Sequence, residues 1–182
     1  MDSININTEA IKPQIQDLLK NQSGIRLDIA CGSNKNPGFV GMDIRPLENV
    51  DIVHDLESYP WPLPDESVLM ATCSHLVEHI NPARFGFINF MNEIWRVMKV
   101  GGSLAIATPH GSSSFYIQDP THCNPCNAVT FAYFDPLHPS GLWGIYQPKP
   151  WLISFMDEKA IMEVILTKRH LTEWVNGRTE HE

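Results

Sequence analysis

Two short apolar runs, joined by a glycine turn and by too little chain for a helix, constrain this protein more than any other feature. Leu27 to Ala30 is apolar and bounded by polar residues. That pattern is expected of a strand buried on both faces of a parallel sheet. Cys31-Gly32-Ser33-Asn34 interrupts it with small residues, so the backbone can turn sharply and a ligand can approach the main chain. Val40 to Ile44 is a second apolar run with a carboxylate, Asp43, near its end. Ligands of open α/β sheets bind at the carboxyl ends of such strands, where an acid can accept hydrogen bonds from two ribose hydroxyls. The stretch predicts a nucleoside site.

Phosphates are poorly served there. A dinucleotide fingerprint needs G-x-G-x-x-G and then a helix whose N-terminus receives the pyrophosphate. Here the turn has a single glycine, and only twelve residues separate Ala30 from Asp43. A nucleoside without phosphates, such as S-adenosylmethionine, does not need the helix dipole. Its sulfonium and ammonium groups also suit a site rich in carboxylates.

The residues now carry a resemblance. Leu27-Asp28-Ile29-Ala30-Cys31-Gly32 resembles the first motif of class I S-adenosylmethionine-dependent methyltransferases, acidic-x-Gly-x-Gly-x-Gly. Ala30 stands at the first glycine position and Asn34 at the third; asparagine is among the residues that accept φ > 0. Ser74-His75-Leu76-Val77-Glu78-His79-Ile80 resembles the "hvlEH" segment of the family's small-molecule enzymes. Glu93-Ile94-Trp95-Arg96-Val97-Met98-Lys99-Val100-Gly101-Gly102 is similar to its "E-x-x-R-v-L-k-p-G-G", with Val100 for the usual proline. This is the most specific of the matches.

The resemblance implies an α/β fold: three Rossmann-like layers around a mostly parallel seven-stranded sheet in the order 3-2-1-4-5-7-6, here with reduced helices. It implies S-adenosyl-L-methionine as cofactor. The implied holders are Asp28 and the turn Ala30, Cys31, Gly32, Ser33 and Asn34, then Asp43 and Ile44 at the second strand end. Asp55 would lie beside the adenine, with the Leu56 amide on a ring nitrogen, and Ser74 and His75 would close the site from the fourth strand.

In chain order, Thr8 to Asn21 reads as an amphipathic helix through Ile11, Ile15, Leu18 and Leu19, with Thr8 as cap and Pro13 accepted only in the first turn. Val50 to Val53 is a short third strand and Ser67 to Cys73 a buried fourth. Between them Tyr59-Pro60-Trp61-Pro62-Leu63-Pro64 cannot be helical and should pack Trp61 and Leu63. Asn81-Pro82 starts a helix with an apolar face of Phe85, Ile88, Met91, Ile94, Trp95 and Met98, stopped by Gly101-Gly102. Ser103 to Ala107 is the fifth strand. Trp151 to Met156 and Ile161 to Lys168 form the closing hairpin.

One domain is expected: an N-terminal helix within 1–23, a cofactor core over 24–109, a lid over 110–150 and the hairpin over 151–169. The lid is rich in Pro, His, Gly and aromatics, and loops of this length are usually functional. The connections from strand one to two and two to three are too short for crossover helices. A bare sheet face in that half calls for the N-terminal helix, the lid or a second subunit, hence an expected homodimer.

A net charge of −8 argues against binding nucleic acid phosphates. The (Asn/Asp/Ser)-Pro-Pro-(Tyr/Phe) motif of base-amine enzymes and the Pro-Cys of C5-cytosine enzymes are both missing after the fourth strand. A small molecule or a protein side chain remains as methyl acceptor, and a small molecule is the expectation. A general base is needed only if that acceptor must lose a proton; His75, His122 and His110 are candidates, with Asp119 as an orienting carboxylate. Cys123-x-x-Cys126 lacks a second ligand pair at regular spacing, so free thiols and no metal are expected. The Met-Asp-Ser-Ile-Asn start has no signal character, no run reaches membrane-spanning length, and a cytoplasmic setting is expected. Two alternatives stay open: a methyltransferase-like binding or partner subunit, and a nicotinamide-dependent oxidoreductase.

Overall fold

The computed structural model describes residues 11–20 and 24–170. A single seven-stranded sheet runs β3-β2-β1-β4-β5-β7-β6. Its strands are β1 (Ile25–Ile29), β2 (Val40–Asp43), β3 (Ile52–Val53), β4 (Val68–Ser74), β5 (Met98–Pro109), β6 (Trp151–Asp157) and β7 (Ile161–Lys168). The first five pair in parallel, and β7 is antiparallel to both β5 and β6.

One face of the sheet is the core. In register across it lie Leu27, Ala71, Leu104 and Leu166, then Ile29, Cys73, Ile106 and Val164. All are buried. Against this face packs α2 (Gly86–Val97), burying Phe90, Met91, Ile94 and Val97. The expected helix start at Asn81-Pro82 is corrected: a 3-10 turn, Ala83–Phe85, comes first, and Arg84 and Phe85 both have positive φ. That break turns Phe85 outward to 63% exposure, beside the Tyr146 ring, and Phe90 takes the core position. The helix ends at Val97; Gly101-Gly102 lies inside β5, where a register shift opposite Val68/Met70 puts Gly101 at φ +76°.

The short connections are as expected, since no helix lies between β1 and β2 or between β2 and β3. Polar groups cover that half instead. Asn36 N donates to Asp28 Oδ2 at 2.7 Å, and Asn36 Nδ2 to Thr72 Oγ1 at 3.2 Å. Lys35 Nζ donates to Asp51 Oδ2 at 2.6 Å, and Gly41 N to the same oxygen at 2.9 Å. The exposed part of the outer face lies elsewhere, on β4 to β6, where Met70 is 40% and Phe155 47% exposed.

Helix α1 (Pro13–Lys20) begins at its proline, the position where the missing N–H costs nothing. Thr8 and Asn21 lie outside the described residues. Ile11 bridges Ile52, and Lys12 Nζ stands 3.6 Å from Asp51 Oδ1. Asp51 thus joins Lys12, just ahead of α1, to the β1–β2 loop and β2. Burial works against its charge, but the bonds from Lys35 and Gly41 outweigh it and hold its carboxyl below the ordinary aspartate value of 3.8. A lowered folded-state value stabilises above the unfolded value and is lost as pH falls through the folded one. Urea unfolding is therefore expected to show stability dropping below about pH 4, with a shallower drop in Asp51→Asn.

The segment 110–150 divides in two. Its second half is core: α4 (Ala128–Ala132) and the residues after it bury Phe131, Phe134 and Trp143, and Phe131 and Phe134 meet Phe87 of α2 at 6.3 and 5.6 Å between ring centroids. Besides α4 this segment holds α3 (Ser114–Ile117) and α5 (Trp143–Tyr146). Part of the expected lid therefore fills the layer that a crossover helix would occupy.

Candidate functional site

At the carboxyl ends of the strands lies a cavity of about 360 Å³. Ala30, Asp43, Ile44, Asp55, Leu56 and His75 line it, together with Arg45, Glu57, Leu76, His79 and Ile80. The volume falls within the range of small-ligand sites.

The glycine turn meets the cavity only at Ala30. Ala30 (φ 56°) and Gly32 (φ 55°) take the left-handed conformation, not Asn34. Gly32 N donates to Asp43 Oδ2 at 2.9 Å, so the acid at the end of β2 clips the turn. Asp43 Oδ1 accepts from Arg45 N at 2.9 Å and Arg45 Nε at 3.2 Å. Burial disfavours the Asp43 charge, but these bonds overcome it and keep its carboxyl below 3.8. An ionised carboxylate has about four acceptor sites, so three internal bonds leave room for a ligand hydroxyl.

Asp28 does not line the cavity. Its oxygens hold Asn36 N and, at 3.0 Å, Thr72 Oγ1, so it fixes the loop from the outer face. Cys31, Gly32, Ser33 and Asn34 form the turn without lining the cavity. Burial first, then Asp28 and Asp43, pushes the Cys31 thiol up to about 11, which keeps it protonated at neutral pH. Ser74 is placed in a groove on the outer face with Thr72 and Ala105, because alternate β4 residues point to opposite sides.

Asp55 accepts from Glu57 N at 3.0 Å and Ser58 Oγ at 3.1 Å, and Leu56 O accepts from Trp61 Nε1 at 3.0 Å. These bonds shape the wall opposite His75, which itself has φ 52°. Among the general-base candidates only His75 lines the cavity. His110 faces Glu158 (3.2 Å). Asp119 is bound to Thr121. His122 stacks near Tyr116 and reaches the site only through His79. Cys126 is core, and Cys123 Sγ lies 3.2 Å from Ile80 O. All four cysteines are free. Arg45, Glu57 and His79 are additions; Arg45, a cation beside the acid of the strand end, and His79, within the Glu78-His79 motif, left a sequence signal.

The Glu93-x-x-Arg96 motif proves to be a clamp. Glu93 Oε1 accepts from Trp61 N and Arg96 Nη2, each at 2.6 Å. Arg96 also donates to Trp61 O, Leu63 O and Asp65 Oδ1. The motif ties down the segment that leads from the cavity wall into β4.

No protein-family model matches the sequence, and no curated protein does. Solved structures do. A SAM-dependent methyltransferase from Archaeoglobus fulgidus matches with TM-score 0.56 at 18% identity, over 85% of this chain and 93% of that one. The fold is that of the class I S-adenosylmethionine-dependent methyltransferases. A methyltransferase of this kind from Mesorhizobium loti (TM-score 0.55, 10% identity, 86% and 96% covered) and the [4+2]-cyclase SpnF (0.54, 14%, 86% and 81%) share the methyltransferase fold. No helix among the described residues is long and apolar enough to cross a membrane.

Proposed function

We propose that the chain is a S-adenosylmethionine-dependent methyltransferase acting on a small molecule. One observation carries the reading: Ala30 at the start of the turn, Asp43 that clips it, the Asp55–Leu56 wall and His75 line one cavity at the strand ends. Asp43 would take a ribose hydroxyl and the Asp55–Leu56 segment the adenine. Methyl transfer from a sulfonium is a direct displacement, so the protein's task is to align donor and acceptor and to exclude water. His75 is the side chain placed to take a proton from an acceptor that must lose one.

A second reading is a methyltransferase-like binding subunit. It is favoured by the three bonds that Asp43 already makes and by the cyclase relative, whose named activity is not methyl transfer. Calorimetric titration with S-adenosylhomocysteine separates the two readings. One-to-one binding is expected; absence of heat and of any thermal shift would leave the subunit reading. Preference for NAD would overturn both, although the helix it needs does not follow β1.

A further inference from the structure

Three groups, of which His79 also lines the cavity, converge just past β4. Glu78 and His79 lie in a 3-10 turn, Val77–His79, and His122 comes from the first half of the 110–150 segment. One carboxylate oxygen of Glu78 and one ring nitrogen from each histidine all lie within 4.8 Å of one another. We propose that Glu78, His79 and His122 bind a first-row divalent transition-metal ion.

The hydrogen bonds decide which nitrogens can serve. His122 Nδ1 lies 2.9 Å from Tyr116 O, and a carbonyl only accepts, so Nδ1 carries the proton and Nε2 the lone pair. His79 Nδ1 lies 3.0 Å from Thr121 Oγ1. That hydroxyl has one proton, which it donates to Asp119 Oδ1 at 2.6 Å. It must accept from His79 Nδ1, which leaves Nε2 of His79 with its lone pair as well. Both imidazoles are thus oriented as metal ligands usually are, with the far nitrogen donating to a fixed oxygen.

Glu78 supplies the independent observation. It is 0% exposed, its Oε2 accepts from Thr108 Oγ1 at 3.0 Å, and its Oε1 has no hydrogen-bond partner. His75 Nδ1 stands 3.3 Å from Oε1 but is too poorly aligned to bond. A buried carboxylate oxygen left unpaired is costly. A cation held between it and the two histidine ring nitrogens would relieve that cost.

Two histidines and one carboxylate leave coordination positions open for water or substrate, a set that suits zinc, iron(II), cobalt(II) and manganese(II) better than calcium. Ligand atoms on four-coordinate zinc, with bonds of about 2.1 Å, stand ~3.4 Å apart. Closing the triad therefore takes about an ångström of side-chain movement. His79 also lines the cofactor cavity. If methyl transfer is the activity, an open position there would hold an acceptor oxygen and ease its deprotonation. Only this last step rests on the proposed function.

Cobalt(II) titration of the metal-free full-length protein tests the site directly. One equivalent should bind and give visible d–d absorption. His122→Ala and His79→Ala should each weaken binding at least ~100-fold, and Thr121→Val ~10–100-fold by releasing His79. Circular dichroism and thermal melts confirm folding of each variant. The histidine variants carry the test because Glu78→Gln, at a fully buried position, is open to misfolding. Failure of the wild-type protein to bind cobalt or zinc stoichiometrically, or a band that survives in both histidine variants, overturns the proposal. S-adenosylhomocysteine titration in EDTA reads the cofactor site alone, so failure of the metal site and failure of the methyltransferase reading are distinguishable.

Discussion

Asp43→Ala is expected to lower affinity for S-adenosylhomocysteine ~10–150-fold. One ribose hydroxyl on a charged acceptor is worth about 1.5–3 kcal/mol, which corresponds to ~10–150-fold in affinity. The variant also frees Gly32 N, whose partner is Asp43 Oδ2 at 2.9 Å. Stability should therefore fall by about 1–3 kcal/mol while the sheet persists. Asp43→Asn separates the two effects: it keeps one acceptor oxygen for the turn but loses the charge that strengthens the ribose bond. Calorimetry on both variants reads the outcome. Wild-type affinity in Asp43→Ala would remove the ribose role and leave Asp43 as the clip of the turn.

The largest stability effect is expected from Glu93→Ala. It strips Arg96 of two hydrogen bonds and leaves Trp61 N, buried beneath α2, without an acceptor. Removing one partner of a buried pair costs about 3–5 kcal/mol. In a chain of this size that lowers the melting temperature by ~6–20 °C. Replacing the pair by apolar residues of like volume should cost less, since no charge is then stranded. A melting temperature within a degree or two of wild type in Glu93→Ala would show that the clamp adds nothing.

Most of the sheet was legible because its strands are short, apolar and separated by turns. The hairpin from Trp151 follows from two apolar runs, and the strand order from the family resemblance. The helix boundary at residues 81–86 was not legible: Asn81-Pro82 has good start chemistry, yet Arg84 and Phe85 adopt positive φ and delay the helix to Gly86. Local propensity lost there to the packing of Phe90 against Trp61, whose rings stand 5.8 Å apart. Ser74 could not be assigned a side without the strand's exact phase, because a one-residue error reverses the face. Glu78 and His79 were visible as a motif, but their meeting with His122 depends on backbone bonds from Cys123 and Asn124 to Glu78 O. A contact across more than forty residues leaves no trace in spacing.

The loop that stands in for a helix between β1 and β2 has a consequence for how the molecule comes apart. Its anchors, Asp28, Asp43 and Asp51, are carboxylates, whereas the centre of the sheet is held by Leu27, Ala71 and Leu104. Acid disarms Asp43 and Asp51, whose carboxyls the fold holds below 3.8, and leaves the apolar layer intact. The nucleoside cradle would thus open as its own cooperative unit, ahead of global denaturation.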